Sequence, residues 1–219
     1  MENNQASVSQ RIIGLTGGIA MGKTAVSNYL ASRYHLPVLD ADVYAREAVA
    51  PGSVGLAAIV ERYGSGVLLP DGQLNRQRLG EIIFNSPAER LWLEQNLHPY
   101  VRDRLIAESQ IPPCNDVRHC PTLVMVIPLL FEARMTDLVT ETWVVSCAQD
   151  SQIKRLMERD HLTAKQAIAR INSQMEIAKK IARADVVLDN SGGLEELFAQ
   201  VDQHLAQQPN QISTRRMEH

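Results

Sequence analysis

The run Gly17-Gly18-Ile19-Ala20-Met21-Gly22-Lys23-Thr24 constrains this chain more than any other segment, because it satisfies G-x-x-x-x-G-K-[ST] at every fixed position. Phosphate oxygens need several backbone N–H groups turned inward, and glycine permits the torsions that aim them. A helix N-terminus directly after such a loop adds unpaired donors and the positive end of its dipole. The pattern gives phosphate contact to the backbone of Gly17, Gly18, Ile19, Ala20, Met21 and Gly22. It gives charge neutralisation at the β and γ phosphates to Lys23 and a hydroxyl for Mg²⁺ to Thr24, and it sets the Ala25 amide toward the α-phosphate.

Context separates this pattern from a glycine turn with a solvated lysine. Arg11 to Leu15 is a β-prone run entering the turn, and Thr24 to Tyr34 reads as a helix with Val26, Tyr29 and Leu30 on one face. Pro37 to Leu39 is a second short strand ending at Asp40. Strand, loop, helix and strand make a βαβ unit, which predicts a parallel sheet. No G-x-G-x-x-G accompanies it, which disfavours a dinucleotide site.

Strand signal resumes only at Leu123 to Ile127, an apolar run suited to a strand covered on both faces. Thr142 to Cys147 and Val186 to Leu188 complete the set of strand candidates. From Val43 to Gln110 the pattern is helical, with Val54, Ile59, Val60 and Tyr63 on one helix and Leu79, Ile82 and Ile83 on another. A third helix runs from Pro87 through Leu91 and Leu97, and His98-Pro99 is expected to break or bend it. Pro70-Asp71-Gly72 forms a turn. Gln110 to Pro121 reads as a linker back to the sheet. Thr163 and Gln166 have capping-box spacing, and Leu194, Leu197, Phe198, Val201 and Leu205 make one apolar stripe. The expected division is a nucleotide-binding core of 11–42, 121–149 and 184–206, a helical insertion with its linker over 43–120, and flexible tails at 1–10 and 207–219.

Composition excludes several classes. A formal net charge of -3 over 219 residues does not suit a strongly basic nucleic-acid binder. The longest apolar run, Leu123 to Phe131, contains Pro128 and is too short to span a bilayer, and Met1 to Gln10 is polar. Three cysteines do not make a disulfide framework, and Cys114, His119 and Cys120 match no common zinc spacing. The simplest location is the cytoplasm, with no nucleic acid and no membrane as partner.

Asp40-Ala41-Asp42 follows the second strand, and open parallel sheets gather ligands at the carboxyl ends of their strands. A kinase needs a carboxylate to orient and deprotonate the attacking hydroxyl, and uses others on the metal shell. An aspartate here is also a good helix N-cap, and the two roles are compatible. The third strand ends in Val126-Ile127-Pro128 without an acidic residue, which shifts metal duty toward Asp40 or Asp42. Arg155 and Arg159 share a helix face, Arg170 and Gln174 repeat the spacing, and Lys179 and Lys180 follow. Such cations either stabilise a transferring phosphoryl group or form a solvated face, which is their usual fate. A kinase must also keep water from the phosphoryl group, and the charged segment 150–183 is the lid candidate.

Together these segments resemble the dephospho-coenzyme A kinase family over about residues 12 to 200. The resemblance rests on Gly14 to Ile19 with Gly22-Lys23-Thr24, on Asp40-Ala41-Asp42 with Arg46, and on Asp71 to Arg76. It continues through Ile83-Phe84, Leu93-Glu94, His98-Pro99, Pro128 to Glu132, Arg155 with Arg159-Asp160, Arg170 with Gln174, Ala184-Asp185 and Asp189-Asn190. It implies an α/β fold of P-loop NTPase type, a parallel five-stranded sheet flanked by helices, with a helical CoA-binding insertion and a helical lid. It implies ATP and Mg²⁺, and transfer of the γ-phosphoryl group to the ribose 3′-hydroxyl of dephospho-CoA. Asp42 matches the family's proposed general base, and Arg159 falls where a lid arginine contacts phosphates, although Arg155 is placed to share that role. His98-Pro99 and Leu129 to Glu132 match segments near the acceptor. The family loop usually reads Gly-Ser-Gly-Lys-Ser; here Ala20 and Met21 depart from it, and Ala20 is expected to avoid a strongly positive φ. The rival readings are a nucleoside or nucleoside-monophosphate kinase and a GTP switch, the latter lacking any N-K-x-D segment.

Overall fold

The computed structural model describes residues 10–84, 86–110 and 122–207. By their internal contacts these fall into two compact units, residues 40–110 and the rest.

The first unit is built on a five-stranded sheet in the order β2-β3-β1-β4-β5. Its strands are β1 (Ile12–Gly17), β2 (Val38–Asp40), β3 (Leu123–Val126), β4 (Glu141–Ser146) and β5 (Val186–Asp189). Strand β1 pairs in parallel with β3 and with β4, and β4 pairs in parallel with β5. The four residues of β3 are all buried, as its apolar run requires of a strand covered on both faces. Helix α1 (Lys23–Tyr34) sends Val26 and Leu30 into a core with Ile13, Leu15, Trp143 and Leu188. Leu197 and Val201 join that core from the C-terminal helix, Leu194–Leu205. Tyr29 stacks on Phe198 at 4.1 Å, and Tyr29 and Tyr34 both donate to Asp202, which fixes the two helices to each other. The chain leaves β1 toward one side of the sheet and β4 lies on the other, so the carboxyl ends of β1 and β3 flank a switch point where open sheets bind ligands.

The second unit is helical: α2 (Ala41–Glu47), α3 (Val54–Tyr63), α4 (Arg76–Phe84) and α5 (Pro87–Ser109). Ser53 caps α3 by accepting from Leu56 N, and Ser86 caps α5 ahead of Pro87, a residue suited to a first helical position. Leu56, Ile59, Val67, Leu74 and Leu79 form its core, with Trp92 and Leu97 packed against it.

The expected break at His98-Pro99 does not occur; α5 runs through Pro99 for 23 residues. An internal proline costs a helix about 3 kcal/mol. Contacts on the far side of Pro99 offset that cost: Val101 and Leu105 are buried, Tyr44 donates to Glu108 at 2.6 Å, and Arg104 pairs with Glu47 at 3.0 Å.

The remaining helices of the first unit are α6 (Gln149–Asp160), α7 (Ala164–Asn172), α8 (Ile177–Ile181) and α9 (Leu194–Leu205). Both arms of the expected capping box at Thr163 and Gln166 form. The cluster of Cys114, His119 and Cys120 and most of the expected linker lie outside the described residues, as do nearly all of both expected tails.

Candidate active site

The glycine loop joins the end of β1 to the start of α1. Gly17 and Gly22 have φ of 147° and 109°, conformations that the missing side chain permits. Gly22 N-caps α1 and no side chain caps the helix, which leaves the positive dipole end to an anion. Lys23 Nζ donates to Gly17 O at 3.1 Å and to Gly18 O at 2.8 Å, so the ammonium rests against the loop that precedes it. Thr24 is exposed on the first turn, and Ala25 N donates to Gly22 O at 3.0 Å.

Ala20 corrects the expectation drawn from its side chain: its φ is +58°, in the left-handed region. The neighbours explain why the loop holds this shape. Ile19 N donates to Gln174 Oε1 and Ile19 O accepts from Gln152 Nε2, both at 2.9 Å. Met21 O accepts from Asn190 Nδ2 at 2.9 Å, and the Met21 side chain is 1% exposed. With Ile19 and Met21 pinned on either side, Ala20 takes the torsion that joins them. Met21, Gly18, Gln152, Gln174, Met175 and Cys147 contribute to the wall of a cavity of about 420 Å³ beside the loop. Burial raises the Cys147 thiol pKa above its ordinary value.

Asp40 closes β2 and N-caps α2, accepting from Asp42 N at 2.8 Å. Asp42 is exposed on the first turn of α2. Among the described residues no group of three or more His, Cys, Asp or Glu side chains could hold a metal ion unaided.

The cationic segment is not a uniform solvated face. Arg155 donates to Asn190 O at 3.1 Å, and thereby backs the asparagine that holds Met21. Arg159 pairs with Asp160 at 2.7 Å and Arg170 reaches the same carboxylate at 2.6 Å. Arg159 chiefly, aided by Arg170, holds the Asp160 carboxyl below its ordinary value. Lys179 stays exposed, whereas Lys180 is fully buried. In the helical unit His98 has its pKa lowered by burial, which favours a neutral imidazole.

Gln152 and Asn190 are the loop contacts that sequence reasoning passed over. Asn190 was visible only as a neighbour of Asp189 in a matching segment, and nothing in the sequence singled out Gln152.

A phosphate loop between a parallel strand and an uncapped helix, on a sheet of order 2-3-1-4-5, is the arrangement of a P-loop nucleotide-binding fold. Comparison with known proteins narrows the class: the dephospho-CoA kinase family model matches residues 11–196. This chain belongs to the dephospho-CoA kinase family. It is 61% identical over 198 residues to a dephospho-CoA kinase of Trichormus variabilis, covering 89% of this chain and 96% of that one. Against the Synechocystis dephospho-CoA kinase the identity is 52%, over 88% of this chain and 93% of the relative. Among solved structures, a Thermus thermophilus protein superposes with TM-score 0.74 at 31% identity, covering 90% of this chain and 97% of its own. A dephospho-CoA kinase from Campylobacter jejuni superposes with TM-score 0.66 at 25% identity, over 90% and 96%.

Proposed function

We infer that this chain transfers the γ-phosphoryl group of ATP to the ribose 3′-hydroxyl of dephospho-CoA, giving coenzyme A and ADP, the last step of coenzyme A synthesis. The observation that carries this reading is the family match across residues 11–196, which takes in the phosphate loop and every other segment assigned a role here.

In this reading the backbone of Gly17 to Thr24 and the Ala25 amide cradle the phosphates. Lys23 leaves the Gly17 and Gly18 carbonyls and follows the β and γ oxygens, where it offsets the charge that builds as the bond to the leaving oxygen lengthens. Asp42 accepts the proton of the acceptor hydroxyl as that oxygen attacks phosphorus, and ADP departs. Arg159 contacts the phosphates from the lid, exchanging its partner Asp160 for phosphate oxygens. Thr24 and Asp40 would hold Mg²⁺, which would supply further charge neutralisation. The helical unit 40–110 takes the dephospho-CoA, and segment 150–183, hinged on its anchored 174–180 end, closes to exclude water. The location proposed is the cytoplasm, which the free thiol of Cys147 suits.

The test is a comparison of acceptors. With ATP as donor, the purified protein is expected to release ADP with dephospho-CoA and not with nucleosides or nucleoside monophosphates. Turnover of a nucleotide but not of dephospho-CoA would replace this reading with that of a nucleotide kinase.

A further inference from the structure

Lys180 is the largest buried charge in the first unit that the mechanism does not use. It lies in α8, is 0% exposed, and pairs with Glu132 at 2.9 Å. Its ammonium also donates to Pro128 O at 3.0 Å. Burying an ammonium against a half-buried carboxylate costs desolvation that the pairing offsets only in part. Stability alone therefore does not account for a lysine at this position; methionine would fill much the same volume without desolvating a charge.

The partners of Lys180 connect it to nucleotide binding. Pro128 follows β3, and its carbonyl also accepts from Thr16 Oγ1 at 3.1 Å. Thr16 is fully buried and immediately precedes the loop at Gly17. Glu132 Oε1 also accepts from Met175 N at 3.1 Å, while Glu132 Oε2 is buried and has no hydrogen-bond partner among the described residues. Met175 adjoins Gln174, whose side chain accepts from Ile19 N within the loop. Met175, Glu176, Ile177 and Ala178 line the same cavity as Gly18 and Met21. One ammonium thus ties the end of β3, the turn after it and the segment between α7 and α8 to the base of the phosphate loop.

We propose that Lys180 is a positioning residue for nucleotide binding, which through Pro128 and Glu132 fixes the 174–178 segment against the phosphate loop. Glu132 then serves the nucleotide side of the reaction, its carboxylate being engaged by Lys180 and Met175, although sequence resemblance sets it near the acceptor. This proposal rests on the assignment of the loop to ATP. Wild-type turnover of dephospho-CoA serves as the control that separates a failure of that assignment from a failure of the proposal.

The experiment compares Lys180→Met with the double variant Lys180→Met/Glu132→Gln, by thermal unfolding and by KM for each substrate. Lys180→Met alone leaves a half-buried carboxylate, with one oxygen fully buried, without its cation and is expected to lower the unfolding midpoint. The double variant removes both charges, so its midpoint should return toward wild type. Its KM for ATP is expected to stay raised by about tenfold, with KM for dephospho-CoA within about twofold of wild type. Recovery of both the midpoint and the ATP KM would overturn the proposal and leave the pair a purely structural element. A raised KM for dephospho-CoA alone, or no kinetic change in either variant, would overturn it as well. In the unaltered protein the Met175 amide should exchange slowly with solvent, and fast exchange there would contradict the proposal however the variants fold.

Discussion

The loop holds the clearest residue-scale tension, at Ala20. A left-handed torsion costs an L-residue roughly 1–2 kcal/mol, while glycine costs about 0.5–1 kcal/mol in unfolded-chain entropy. The difference favours Ala20→Gly by up to about 1.5 kcal/mol, to be read as a small rise in the denaturation midpoint; a fall would mean that the loop has another way to hold φ at +58°. Asp42 is the residue on which chemistry should depend most visibly. Asp42→Asn is expected to retain ATP binding and lose about 10²–10⁴ in turnover, and unchanged turnover would remove Asp42 from the role of base. The loop was legible in the sequence because its parts are contiguous and each has a fixed chemical duty. Gln152, Asn190 and Lys180 were not, because their partners lie 133, 169 and 52 positions away, and only folding brings them together. Ala20 was misjudged because side-chain sterics were weighed without the Gln152, Gln174 and Asn190 contacts that hold its neighbours.

Among the elements, those with local punctuation were read most securely. The Thr163 capping box formed as its spacing implies, and of the α9 stripe Leu197 and Val201 are buried with Phe198 and Leu205 packed against the core, while Leu194 at the first turn is exposed. Pro99 does not break α5, because its local penalty is outweighed by α2, whose Tyr44 and Glu47 grip the far half of α5. Another cross-helix contact gives the helical unit a pH dependence. Arg62 first, and Tyr63 second, hydrogen-bond to Glu89 and bring its carboxyl pKa down to about 2 from the ordinary 4.5. The folded unit therefore keeps this carboxylate charged where the unfolded chain takes up a proton. The contribution is present in full above about pH 4.5 and is lost as pH falls toward 2. Denaturation midpoints measured across that range should fall less steeply for Glu89→Gln than for wild type; equal slopes would contradict this. The lid proposal also belongs to this scale. Amide exchange across 150–173 should slow when ATP analogue and dephospho-CoA are both present, and an unchanged profile would count against closure.

At the scale of the whole molecule, the described residues divide into a unit built on the sheet of order β2-β3-β1-β4-β5 and a helical unit over 40–110. Composition and periodicity indicated a sheet interrupted by helices, because apolar strand runs vanish between Val43 and Gln110 and return at Leu123. They did not identify the acceptor, since exposed helix faces carry no short motif comparable to the loop. The acceptor comes from family membership, and it is the claim on which the functional account stands. The direct measurement is phosphorus NMR of a reaction containing the purified chain, ATP, Mg²⁺ and dephospho-CoA. The account predicts ADP and coenzyme A in equal amounts, with a new phosphate monoester on the ribose. ADP accompanied only by inorganic phosphate, with dephospho-CoA unconsumed, would contradict it.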